Sequence, residues 1–113
     1  MKVTIEAPFK LSDQDKKSIE DKLNGLTKFE SRMTQINVFF KKGDGNTLNA
    51  ILSEIRVRVP GNDLFAGDTD ESAIKSFTKT YNTVKKLLKK RRDKVNDHRS
   101  PVKEINAIVN DNL

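Results

Sequence analysis

Residues 35–62 read QINVFFKKGDGNTLNAILSEIRVRVPGN, and the fold turns on how this stretch alternates. From Gln35 to Lys42, Ile36, Val38 and Phe40 fall on one side of an extended chain and Asn37, Phe39 and Lys41 on the other. That period of two belongs to a strand covered on one face. The cluster Gly43-Asp44-Gly45-Asn46 is a turn on composition alone. Alternation resumes from about Asn49 to Val59, with Ile51, Ile55, Val57 and Val59 inward, Glu54, Arg56 and Arg58 outward, and Ser53 a polar exception on the inward side. Pro60-Gly61-Asn62 then makes a tight turn into a short strand around Asp63 to Gly67. Two hairpins in succession predict an antiparallel meander.

Working outward from the meander, Met1 to Glu6 reads as another short strand, with Val3 and Ile5 on one side, and Pro8 bars its continuation as a central strand. Ser12 begins a capping-box arrangement with Asp15, and Ile19, Leu23, Leu26 and Phe29 follow at spacings of four, three and three. These predict a helix ending near Glu30 to Met33, weakened by about 1 kcal/mol at Gly25. Beyond the meander, Asp68-Thr69-Asp70-Glu71 supplies an N-cap and the negative charge favoured at a helix start. Ile74, Phe77, Tyr81, Val84 and Leu88 then form one apolar stripe, which extends weakly to Val95. Ser100-Pro101 ends the pattern, and residues 102–113 are expected to form a frayed tail, the alternative being one helical turn made by Ile105, Ile108 and Val109 on a partner. The expected fold is α+β: a four-stranded sheet with two helices packed on one face, in the order strand-helix-strand-strand-strand-helix. Residues 1–97 are expected to form a single domain and 98–113 a short C-terminal tail.

Composition excludes several functions. At 113 residues, with 34% charged and 35% hydrophobic, the chain suits one compact domain with a modest core. No apolar run approaches the roughly 20 residues of a membrane-spanning helix, and the first residues lack a signal peptide's apolar stretch, so the cytoplasm is the expected compartment. Cysteine is absent and His98 is the lone histidine, which leaves no disulfide, no thiolate chemistry and little for a metal. The carboxylates Asp13/Asp15 and Asp68/Asp70/Glu71 lie at predicted helix starts, where capping accounts for them. Gly43-Asp44-Gly45 lacks the lysine of a phosphate loop, and His98 reads as solvated. The chain is therefore expected not to be an enzyme, and to need no cofactor, metal or small-molecule substrate.

Charge is the most informative feature. The net charge is +6, yet between Glu71 and Asn96 nine basic residues face two acids, so that segment alone carries +7. Lys75, Lys79, Lys85, Lys86, Lys89, Lys90, Arg91, Arg92 and Lys94 supply it, and no acid interrupts the run from Lys75 to Arg92. A solvated helix face normally interleaves acids and bases at i,i+4. A one-sign field instead attracts polyanions, nucleic acid first. On the first helix, Lys22 lies beside the apolar stripe and Lys28 and Arg32 flank its end, so the three are placed to border a groove shared with the second helix. Arg56 and Arg58 project from the open sheet face as ordinary edge gatekeepers. Phe9, Phe29, Phe40, Phe65, Phe77 and Tyr81 fall mostly on predicted core faces, with Phe39 the main exception. With so few aromatics left over, recognition of backbone and shape is expected rather than stacking on single-stranded bases.

The run from Asp21 to Arg32, with Lys22-Leu23, Leu26, Lys28-Phe29 and Arg32, resembles the first-helix signature of the ribosome hibernation promoting factors. The element order and the lysine-rich last helix ending in Lys90-Arg91-Arg92-Asp93-Lys94 resemble that family too, over about residues 1–96. The resemblance implies a protein that binds the small ribosomal subunit in the channel used by messenger and transfer RNA, at the decoding centre, and holds the ribosome inactive during starvation. It implies ribosomal RNA contacts through Lys22, Lys28 and Arg32 on the first helix and Lys79, Lys86, Lys89, Lys90 and Arg91 on the second. Gly25 stands where the family often has a charged residue and Phe29 where it often has Tyr. Longer members carry a C-terminal domain that pairs ribosomes, which is not expected in these 113 residues. Off the ribosome the protein is expected to be a monomer. Two other readings remain: a general double-stranded RNA-binding module, and a basic membrane-surface protein whose Ile74/Phe77/Tyr81/Val84/Leu88 stripe is exposed.

Overall fold

The computed structural model describes residues 1–43 and 50–97, with side chains through Asp93. The predicted turn residues Asp44-Gly45-Asn46, His98, the Ser100-Pro101 stop and the tail with Ile105, Ile108 and Val109 lie outside the described residues, as do the side chains of Lys94 and Val95. The elements are β1 (Lys2–Glu6), α1 (Asp13–Asn24), a 3-10 turn (Gly25–Lys28), β2 (Gln35–Lys42), β3 (Ile51–Arg58), β4 (Leu64–Asp70) and α2 (Ala73–Asp97). This is the expected α+β order.

The four strands form one sheet in the order β1-β2-β3-β4. The meander is antiparallel throughout, with Ile36 opposite Val57 and Ile55 opposite Ala66. β1 runs parallel to β2, with Val3 beside Ile36 and Ile5 beside Val38. A parallel neighbour requires a crossover, and α1 provides it. Gly61, at φ 96°, takes the left-handed conformation in the Pro60-Gly61-Asn62 turn between β3 and β4, where a Cβ would be strained.

Both helices bury their stripes against the same sheet face. Ile19, Leu23 and Leu26 meet Phe77, Val84 and Leu88 over Ile36, Val38, Phe40, Ile55 and Val57, and all belong to one core. Each fully buried aliphatic or aromatic side chain here contributes about 1.5–3 kcal/mol of transfer free energy. Among the described residues three polar ones, Ser53, Ser76 and Thr80, are buried with this core. The Thr80 hydroxyl reaches both the Ser76 carbonyl at 2.9 Å and the Ser53 carbonyl at 3.1 Å, tying α2 to β3. Ser53 is the inward exception seen in the sequence, and its buried Oγ has no partner among the described residues.

Two helix boundaries depart from expectation. Ser12 caps α1 as predicted, accepting the Asp15 N–H at 3.1 Å. The α-helix nevertheless stops at Asn24, and Gly25–Lys28 continue as a 3-10 turn that still buries Leu26 in the core. The predicted cap Asp68-Thr69-Asp70 belongs instead to β4, where Ser53, Leu52 and Ile51 pair with these three residues. Ser72 starts α2, its hydroxyl accepting the Lys75 N–H at 3.2 Å and its carbonyl the Ser76 N–H at 2.9 Å. Ladder hydrogen bonds already engage the three residues that the sequence reading assigned to capping.

Candidate nucleic-acid interface

The groove between α1 and α2 gathers cations around two half-buried aromatic rings. Lys22 from α1 and Lys85 from α2 lie 5.7 and 5.8 Å from the centre of the Tyr81 ring. Lys28 at the end of the 3-10 turn and Lys89 and Arg92 of α2 lie 5.2, 5.6 and 5.6 Å from the centre of the Phe29 ring. The negative face of each ring attracts the ammonium and guanidinium groups, worth about 0.5–1 kcal/mol apiece at exposed sites. That attraction offsets the mutual repulsion of like charges, about 0.5 kcal/mol for neighbours several ångströms apart in water. Phe29 and Tyr81 therefore organise the cations without cancelling their charge.

The eight cations of the α2 segment whose side chains are described divide into two groups. Lys75 is bound by Glu71 one turn back, which raises its pKa. Lys79 pairs with Asp70 at 3.2 Å. Asp70 is held below the usual carboxylate range, first by the Glu71 backbone N–H and then by Lys79. Arg92 makes a loose 3.7 Å contact with Asp93. Arg91 turns inward: its Nη1 donates to Glu30 at 2.9 Å and its Nη2 to the Pro60 carbonyl at 2.8 Å. Among the described residues, Lys85, Lys86, Lys89 and Lys90 have no carboxylate partner, and neither do Lys22 and Lys28 across the groove. Within α2, among the described residues, the unpaired charge thus lies in the second half of the helix, and Lys22 and Lys28 add to it from across the groove.

Glu30 is the acid that sorts these charges. Its carboxylate takes Arg32 Nε at 2.8 Å, the Arg32 backbone N–H at 3.1 Å and Arg91 Nη1 at 2.9 Å. Its pKa is lowered, chiefly by the Arg32 side chain and further by Arg91, and the Arg32 pKa is raised in return. Of the eight residues singled out in sequence, Lys22, Lys28 and Lys89 meet at the rings, Lys86 and Lys90 lie exposed on α2, Arg32 and Lys79 are paired on the surface, and Arg91 is part of an internal tie. Sequence reasoning missed Lys85, Phe29 and Tyr81 as parts of the groove. The signal existed: Lys85 and Lys89 follow Tyr81 at four-residue steps, on the flank of the stripe. Arg91 is likewise seven residues after Val84 and three after Leu88, on the core side of the wheel.

A family model described as sigma 54 modulation protein / S30EA ribosomal protein matches residues 3–96. No curated protein matches the sequence. Among solved structures, the chain is similar to a ribosomal subunit interface protein from Coxiella burnetii, at 16% identity and TM-score 0.71, covering 83% of this chain and 100% of that one. It is also similar to the N-terminal domain of Protein Y from Thermus thermophilus, at 16% identity and TM-score 0.64, covering 77% of this chain and 92% of that one. At this identity the two structures show a shared fold.

Proposed function

The chain belongs to the sigma 54 modulation protein / S30EA ribosomal protein family, matched over residues 3–96, and on that premise we propose that it binds the small ribosomal subunit in the decoding channel and keeps the ribosome translationally inactive. The observation that carries this reading is that six cations bordering the groove, Lys22, Lys28, Lys85, Lys86, Lys89 and Lys90, have no carboxylate partner among the described residues. They line one side of a rigid domain, where they meet a sugar–phosphate wall without the protein rearranging. Lys22 and Lys28 add the α1 edge to the α2 face, so the contact spans a groove rather than a single helix. The mechanism is steric: a wedge held by phosphates occupies space that messenger and transfer RNA require.

Binding of this kind releases counterions. Six phosphate contacts make log K fall by about 4 to 5 per decade of salt. Sedimentation of the protein with isolated small subunits through sucrose gradients, across a salt series, tests the reading. Charge reversal by Lys86→Glu, Lys89→Glu and Lys90→Glu is expected to remove the protein from the subunit fraction and roughly halve the salt slope. Thermal stability should change little, because the three are surface positions. Association that persists at high salt overturns the electrostatic account, and equally tight binding to naked duplex RNA favours a general double-stranded RNA binder. The membrane-surface reading requires an exposed stripe, whereas Phe77, Val84 and Leu88 are at most 1% exposed.

A further inference from the structure

The sheet face turned away from the helices carries a feature the core does not need. Among the described residues the large apolar side chains left exposed are Met1, at the terminus, and Phe65, 53% exposed on edge strand β4. The expectation that Phe65 belongs to the core is therefore corrected: it faces outward, while its neighbours Leu64 and Ala66 turn toward the helices. A single exposed phenylalanine is ordinary on any protein. Its surroundings are what give this one meaning.

Register places Arg56 directly across from Phe65, and Asn37 and Thr4 continue the same row. The next row toward the β3–β4 turn holds Lys2, Gln35 and Arg58. Arg56 has no carboxylate partner among the described residues, and Arg58 reaches Asp63 only at 3.8 Å. Of the two acids of the adjoining row, Glu54 is matched by Lys41 at 3.2 Å, and Glu6 lies at the far end of the row on β1, two strands from Glu54 and three from β4. The Asn37 side-chain oxygen accepts from both the Thr4 hydroxyl and the Gln35 amide, which leaves the Asn37 amide nitrogen to donate elsewhere. An exposed ring thus stands beside a net-positive group of Lys2, Arg56 and Arg58, with amide donors in the same rows. The groove on the opposite face differs in kind, because its rings lie half-buried beneath cations of the same protein.

We infer that this face binds single-stranded RNA, with one unpaired base stacked on Phe65 and Arg56 and Arg58 on the adjoining phosphates. The flat ring accepts the π-face of any base, so the contact is tolerant of sequence, and the arginines supply the charge that a backbone next to an extruded base requires. The inference rests on the ribosome reading for the source of the RNA. The two faces then do different work: the helical groove holds backbone, and the sheet holds a base.

The test uses a short single-stranded RNA carrying 2-aminopurine, with no ribosome present. Stacking on Phe65 is expected to change the fluorescence of the probe at saturating protein. Phe65→Leu should abolish that change and weaken binding about tenfold, Phe65→Tyr should preserve it, and Arg56→Gln should weaken binding while leaving the change at saturation. All three should retain the wild-type unfolding midpoint, since both residues are exposed. The variant with Lys86, Lys89 and Lys90 reversed should still give the wild-type change at saturation. No change with the wild type, or an equal one with Phe65→Leu, overturns the inference. If that happens while the protein still sediments with small subunits, base stacking alone fails. If the probe responds as expected but sedimentation is lost, the ribosome reading alone fails.

Discussion

Replacing Glu30 by Gln should destabilise the fold far more than a surface substitution does. The side chain is only 11% exposed and the Arg91 side chain 23%, while Arg32 is 62% exposed. Gln keeps the shape and can still accept, but it converts charge-assisted hydrogen bonds worth about 1.5–3 kcal/mol into neutral ones worth about 0.5–1.5 kcal/mol. For the sheltered Arg91 contact the loss is about 1–2 kcal/mol, because the guanidinium loses its carboxylate and is left with neutral acceptors alone. For exposed Arg32 solvent screens the pair and little is lost. A loss of about 1–2 kcal/mol corresponds to a fall in Tm of roughly 4–8 °C for a domain of this size. Urea titration of the wild type, Glu30→Gln, Arg91→Met and the double variant isolates the pair, with an expected coupling of about 1–2 kcal/mol. The pH dependence has a definite sign. The folded pKa of Glu30 lies below its unfolded value. Its contribution is therefore complete above the unfolded pKa and is lost as pH falls through the folded one, so the gap between wild type and Glu30→Gln should close in acid. A loss under about 0.5 kcal/mol at neutral pH, or no coupling in the cycle, refutes the tie between the α1–β2 connection and α2.

The buried hydroxyls of the core should respond with opposite signs. Ser53→Ala is expected to stabilise by about 1 kcal/mol in urea unfolding, because it removes a buried oxygen without a partner among the described residues. Thr80→Val should cost about 1 kcal/mol, because it removes the one hydroxyl proton shared between the Ser53 and Ser76 carbonyls. Phe29→Leu takes away the ring beneath Lys28, Lys89 and Arg92 and leaves their repulsion, so its thermal stability should lag the wild type most at low salt and recover on screening. A deficit independent of salt would assign Phe29 to packing alone.

Local pattern and tertiary contact divide the account of this protein between them. The bounds of β2, Gln35–Lys42, coincide with the alternation in the sequence, and the Phe77, Val84 and Leu88 stripe lies where its spacing put it. Periodicity suffices there because burial on one side of a regular element repeats every two or every 3.6 residues. It does not suffice where one residue suits two roles. Asp68 to Asp70 have the chemistry of a cap, yet they lengthen β4 because Ile51 to Ser53 offer ladder partners across the hairpin. Phe65 has the chemistry of a core residue, yet the register of β4 turns it outward opposite Arg56.

The chain alone determined the element order, the single apolar face of each element and the excess of positive charge on its last helix, because each is a property of neighbours within a few positions. Only the folded molecule decided which of those charges remain unpaired. Glu30 lies 61 residues from Arg91 and meets it only when the helices pack on a common sheet face, and Tyr81 and Phe29 gather lysines from both helices for the same reason. Electrostatic pairing depends on distance in space, which a linear pattern does not encode.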